Sequence, residues 1–175
     1  MAKIEVDYRD YFRLIAEALR GGGMLLVSVD RAGRPNAMTI GWAALGPVWG
    51  RPAFMAMVRP SRYTYGLIEE SGDFTVNLLP KELARVLDFC GSRSGRDVDK
   101  FAAQGLTPVP GRKVKSPTVE QAIFSLECVV RGKADLSPEM LDPAIDRSAY
   151  PRGDYHRLYF GEILAAYAEP ALTGK

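Results

Sequence analysis

A run of basic and hydroxyl side chains, V-R-P-S-R-Y-T-Y-G at 58–66, is the stretch of this 175-residue sequence best suited to chemistry. It leaves a predicted strand, enters a predicted helix, and carries Arg59, Ser61, Arg62 and Thr64. Two guanidinium groups, two hydroxyls and the free N–H groups of a helix start suit an anion, a phosphate above all. Solvated arginines beside a plain hydroxyl cap would give the same local pattern. A second segment, S-R-S-G-R-D-V-D-K at 92–100, adds Ser92, Ser94, Arg96 and Lys100. Two such segments in one chain favour the phosphate. Arg62 could chelate two oxygens in a fork, whereas Lys100 would act as a point charge.

Counting removes most other chemistry. The single histidine, His156, leaves no His-rich zinc site and one candidate for any Ser-His or Cys-His base, and no metal is expected. Cys90 and Cys128 lack CxxC spacing and read as small buried hydrophobes. The triple glycine 21–23 precedes a strand, so it is not a dinucleotide fingerprint. Gly105 and Gly111 are one residue too far apart for a P-loop, and Arg112 stands where lysine is needed. G-S-R-S-G at 91–95 lacks the central serine of a nucleophile elbow. Lys and Arg total 23 against 21 acidic residues, a net charge of +2, which argues against a dedicated nucleic-acid binder. The longest uncharged run, 35–50, is broken by Gly41, Gly46 and Pro47 and is too short for a membrane span. The charged start, M-A-K-I-E-V-D-Y-R-D, has no signal-peptide pattern. A soluble cytoplasmic protein is expected, with no nucleic-acid or membrane partner.

These residues need a scaffold. The chain length suggests one domain, able to bury roughly 70% of its unfolded surface. Tyr8, Tyr11, Phe12, Ile15 and Leu19 follow a helical rhythm, predicting a helix over 8–20 that the glycines end. Strands are predicted at 24–30, at 35–45 as the return arm of a hairpin, and at 53–59. A short helix over 64–70 leads to D-F-T-V-N-L-L (73–79), whose alternation reads as a half-buried strand with Asn77 on its polar face. Helices follow at 81–89 and 97–104, the latter capped by Asp97. Long strands are expected at 122–136 and 155–169, separated by an acidic, proline-containing excursion over 137–154. Many short strands with isolated helices predict a mainly β fold, an antiparallel barrel over about 24–168 with short helices at its rim, in a single domain spanning 1–175.

The strand N-A-M-T-I-G-W, the loop V-R-P-S-R-Y-T, the strand F-T-V-N and C-G-x-x-S-G-R-D stand in register. In that order and spacing they resemble the flavin reductase-like family, its flavoredoxin-like members in particular. The resemblance runs from about residue 20 to 168 and implies an FMN-binding split barrel. It implies that Met38, Thr39 and Ile40 line the isoalloxazine, and that Arg59, Ser61, Arg62 and Thr64 hold the FMN phosphate. Asn77 would bond the ribityl chain or ring edge, while Ser94, Gly95 and Lys100 close over the phosphate side, with Phe101 beside them. The expected activity is an oxidoreductase in which NADH or NADPH reduces FMN, which then passes electrons to free flavin, a ferric chelate or a protein acceptor. A flavoredoxin-type carrier reduced by a partner protein, or a flavin-free split-barrel binding module, are the other readings. A homodimer with flavin near the subunit interface is also implied. No side-chain acid or base is obligatory; His156 could contact the nicotinamide or flavin edge, or be a plain strand-end residue. Trp42 and Trp49 could flank the flavin, though packing suits them better.

Overall fold

A computed structural model describes residues 2–172. A two-residue strand β1 (Ile4–Glu5) and a 3₁₀ turn at Tyr8–Tyr11 precede helix α1 (Phe12–Gly21). One face of this segment carries Ile15 and Tyr11 into the core, where Tyr11 stacks on Phe124 at 4.8 Å. Gly23 then turns at φ +94, and a Cβ there would lie 2.4 Å from the Ile40 carbonyl oxygen, so only glycine passes this point.

Strands β2 (Met24–Val29) and β3 (Pro35–Ile40) form the expected hairpin, its turn held by the Asp30 carboxylate accepting from Ala32 and Arg34 N–H groups. The predicted return arm over 35–45 is in fact two strands. β3 stops at Ile40, and after Gly41 and Trp42 a new strand β4 (Ala43–Val48) pairs with β5 (Arg51–Val58) instead. Trp49 and Gly50 turn that second hairpin at positive φ, the geometry of a two-residue primed turn.

Helix α2 (Tyr63–Ser71) leads into β6 (Asp73–Leu78), and α3 (Ala84–Ser92) and α4 (Lys100–Gln104) follow. Asp99, not Asp97, caps α4, accepting from Ala102 N–H, because the chain remains a loop through 99. After the two-residue strands β7 (Pro108–Val109) and β8 (Thr118–Val119), the long strands β9 (Phe124–Asp135) and β10 (Arg157–Ala168) flank an excursion containing α5 (Pro143–Ala149). Gly161 stands at a register shift between β9 and β10, where a Cβ would lie 2.5 Å from the Phe74 ring.

The sheet runs β3-β2-β6-β9-β10-β5-β4, all antiparallel, with β1 added along β10. Its two terminal strands, β3 and β4, are consecutive in the chain and separated only by Gly41 and Trp42. The path must therefore curl until its ends meet, which makes a barrel. One apolar core, including Phe54, Phe74, Phe124 and Tyr159, fills the interior; a second, including Leu25, Val27, Val86 and Phe101, lies beneath α3 and α4.

The loop over 105–119 covers the outer face of β6. Two buried carboxylates pin it: Asp73 accepts from the Lys115 and Ser116 N–H groups, Glu127 from those of Arg112 and Lys113. β6 is therefore buried along its whole length rather than half-buried, and Thr75 and Asn77 are enclosed.

Candidate cofactor cleft

The barrel corner at β3, the loop after β5 and the loop after α3 meet around two joined cavities. The first, about 140 Å³, is lined by residues including Met38, Ser61, Arg62, Thr64, Ser94 and Lys100. The second, about 210 Å³, is bordered by Met38, Ile40, Trp42, Met57, Arg59 and His156, among others. Met38 and Arg62 border both, so the two form one cleft.

The first cavity is built for an anion. Arg62 is the N-cap of α2, and no side chain caps that helix; Tyr65 N–H turns back to the Arg62 carbonyl at 3.1 Å, which leaves the Tyr63 and Thr64 N–H groups to a ligand. Lys100 is buried at 3% exposure, and its ammonium donates to the Ala37 and Cys90 carbonyls at 2.8 Å each. An ammonium has three donors, so one remains. Among the described residues no carboxylate pairs with it. Burial accordingly pulls its pKa below the usual lysine value. Thr64 is buried beside it and accepts from the Asn36 amide at 2.8 Å, and Arg62 donates to the Gly91 carbonyl at 3.0 Å. Gly95 lets two loops touch: a Cβ there would lie 2.2 Å from Asn36 Oδ1 and 2.5 Å from the Tyr63 ring. A buried, unpaired cation facing an uncapped helix start fits a phosphate group.

Ser61 lines this cavity, but its N–H and hydroxyl both donate to the Asp154 carboxylate, at 3.2 and 2.5 Å. Arg59 has a different task from the phosphate contact expected of it. Its guanidinium donates to the carbonyls of Ala149 (2.8 Å), Asp154 (3.1 Å) and Gly153 (3.5 Å) and lies 4.9 Å over the Tyr150 ring. Those donors tie the end of the 137–154 excursion to the cleft wall, where Arg59 borders the second cavity and not the first.

In the second cavity, Met38, Thr39, Ile40 and Gly41 offer a strand edge that ends where the sheet changes partners. Thr39 presents no free hydroxyl there, since its Oγ1 donates to the Leu87 carbonyl at 2.6 Å. Trp42, 48% exposed, packs at the mouth, 5.1 Å from the His156 ring. His156 is buried, and burial together with the Arg59 charge lowers its pKa to about 4, so its ring is neutral at ordinary pH.

Two expected ligands stand elsewhere. Asn77 is enclosed in the barrel wall: its amide donates to Thr75 Oγ1 and its carbonyl oxygen accepts from Val119 N–H and the Ser125 hydroxyl. With those bonds made under the 105–119 loop, it borders neither cavity. Phe101 is packed in the second apolar core and supports Lys100 from behind. Trp49 sits at its hairpin tip against Gly132 and Phe160, outside the cleft lining. Sequence reasoning passed over Asn36, Tyr150 and Asp154. Asn36 lay within the recognised strand motif, but nothing in the 137–154 stretch marked the other two.

The flavin reductase like domain pattern matches residues 20–174. This chain belongs to the flavin reductase-like family. Its fold is that of the family's split-barrel domains, mostly antiparallel sheet with short helices. Flavoredoxin of Desulfovibrio vulgaris (Miyazaki F) superposes with a TM-score of 0.68 at 28% identity, over 85% of this chain and 69% of that one. An FMN-binding protein from Thermus thermophilus, solved with p-hydroxybenzaldehyde, gives 0.68 at 25% identity, over 88% and 75%. A relative from Archaeoglobus fulgidus is 32% identical over 132 residues, 75% of this chain. The chain spans 64% of that relative's length. Among the described residues no helix is long and apolar enough to cross a membrane, and no cluster of three His, Cys, Asp or Glu side chains could hold a metal.

Proposed function

We propose that this family member is an FMN-dependent oxidoreductase that takes reducing equivalents from NADH or NADPH and passes them to free flavin, a ferric chelate or a protein acceptor. The observation that carries the reading is the buried, uncompensated Lys100 beside the uncapped α2 start. Low-polarity surroundings make such a cation costly unless an anion completes it. The FMN phosphate would take that place, held by Lys100, Arg62, the α2 N–H groups and Ser94. The ring system would lie along Met38–Ile40 toward Trp42 and His156. When bound, the flavin supplies the hydride and electron chemistry. The chain orients it, excludes water with Met38, Met57 and Trp42, and places neutral donors at its edge. A homodimer, with the flavin near the subunit contact, completes the proposal.

The purified protein is expected to carry or take up one FMN, seen in its visible spectrum and by chromatography of what denaturation releases. A colourless protein that fails to take up added FMN overturns the proposal and favours a flavin-free binding module. The flavoredoxin likeness at 28% identity favours a second reading, a carrier reduced by a partner protein. Anaerobic mixing separates them: rapid bleaching by NADH or NADPH marks the reductase, slow bleaching the carrier.

A further inference from the structure

We propose that Tyr150 is a positioning residue that locks His156 in its Nε2–H tautomer, making it a neutral hydrogen-bond donor for the carbonyl oxygen of a planar ligand in the second cavity. The Tyr150 hydroxyl and His156 Nδ1 are 2.7 Å apart, both residues buried. Two neutral arrangements fit that distance, and the surroundings choose between them. Burial raises the phenol pKa, but the Arg59 guanidinium 4.9 Å over its ring and the His156 backbone N–H at its oxygen both act the other way. With that N–H on the oxygen, the hydroxyl proton is left to point at the ring nitrogen. The phenol therefore donates to Nδ1, and the imidazole proton stays on Nε2.

Nε2 has no hydrogen-bond partner within the protein among the described residues, yet it is not among the sealed, unpaired polar atoms, of which only the Tyr167 hydroxyl is one. It is thus reached from outside, and the ring borders the second cavity. Arg59, Arg62 and Asp154 are the charged groups that act on this ring; burial and the two arginines hold it unprotonated against the opposing pull of the Asp154 carboxylate. A neutral donor beside the Trp42 ring suits a flat molecule with an acceptor oxygen, a carboxamide or a conjugated carbonyl.

This inference rests on the proposed oxidoreductase for its use in turnover, but the lock itself does not need flavin. The chain has one histidine, so ¹⁵N-histidine labelling gives a single ring to observe. At neutral pH, NMR of the wild-type protein is expected to show Nδ1 as the unprotonated nitrogen and Nε2 as protonated. In Tyr150→Phe the tautomer ratio is expected to shift about fivefold toward Nδ1–H, the effect of losing one neutral hydrogen bond. A protonated Nδ1 in the wild type overturns the lock, and that measurement stands even if the variant does not fold. An unchanged ratio in a folded variant also overturns it. In FMN-loaded protein, nicotinamide or benzaldehyde should move the Nε2–H resonance, and toluene should not. A response to nicotinamide places the carbonyl on the electron donor, and one to benzaldehyde on the acceptor. Response to neither, or to toluene equally, overturns the carbonyl site. Failure to load FMN sinks the oxidoreductase reading while the tautomer result still decides the lock.

Discussion

The two ends of the cleft present their polar groups differently. At the α2 end, positive groups stand uncompensated: Lys100 has only carbonyl partners, and the helix start has no side-chain cap. At the Trp42 end Arg59 is fixed in place by three backbone carbonyls, Arg62 borders this end as well as the other, and the histidine is neutral. The first end offers a spare ammonium proton and helix N–H groups, the second a neutral ring beside an arginine already anchored to backbone. The proposed FMN, gripped through its phosphate at the first end, would have its ring beside a neutral imidazole, with Arg59 anchored to backbone rather than free to follow it.

Removing the charge at the first end should have the largest effect. Lys100→Met is expected to weaken FMN binding about 10- to 100-fold, the scale of a lost charge-assisted hydrogen bond in a buried site. Quenching of flavin fluorescence on titration reads it directly, and unchanged affinity would dissolve the contrast. Gly95→Ala should come next. Its Cβ has no room against Asn36 and Tyr63, so the two loops must part, and FMN affinity is expected to fall about tenfold, with a modest drop in urea midpoint. Arg62→Ala should weaken binding by at least ~1 kcal/mol. Ser61→Ala should do less, because the Ser61 donors already face Asp154 in this structure; equal losses in the two variants would mean that FMN displaces that carboxylate.

The smallest expected effect sharpens the neutral end. The folded His156 titrates at about 4, below its ordinary 6.5, so on acidification the unfolded chain takes up the proton first. Its contribution to stability is complete above 6.5, declines between 6.5 and about 4, and levels off below. His156→Gln should flatten that part of the stability–pH curve, measured as urea midpoint against pH; the same slope in both proteins would show a charged ring in the fold.

Local sequence rules identified what local sequence rules govern. The β2–β3 turn, the α2 boundaries and the phosphate-type residues at 61–64 follow from turn, cap and donor chemistry, and they stand where the motifs put them. Long-range partners decided the rest. Asn77 alternates with apolar neighbours, which reads as a residue facing outward; the 105–119 loop folds over that outward face and encloses it. At 41–42 a single Gly41 is the only local break, and a lone glycine inside a strand pattern marks a bulge or bend as readily as the change of strand partner found there. Arg59 matched a phosphate ligand in type and spacing, but the segment that occupies it arrives some 90 residues later in sequence. Phe101 follows Lys100 about 100° further around the helix, enough to turn it into the second apolar core while Lys100 lines the cavity.

The seam at Gly41 and Trp42 has a consequence for connectivity. Every ladder pair in the barrel survives if the chain is cut there, because β3 and β4 are joined covalently but not to each other by hydrogen bonds. A circular permutant opened between residues 41 and 42 would retain the order of its sheet while releasing the peptide link that draws the two edges together. Barrel closure and strand pairing could then be separated as distinct contributions, with flavin affinity reporting the first and hydrogen-exchange protection of the strands the second.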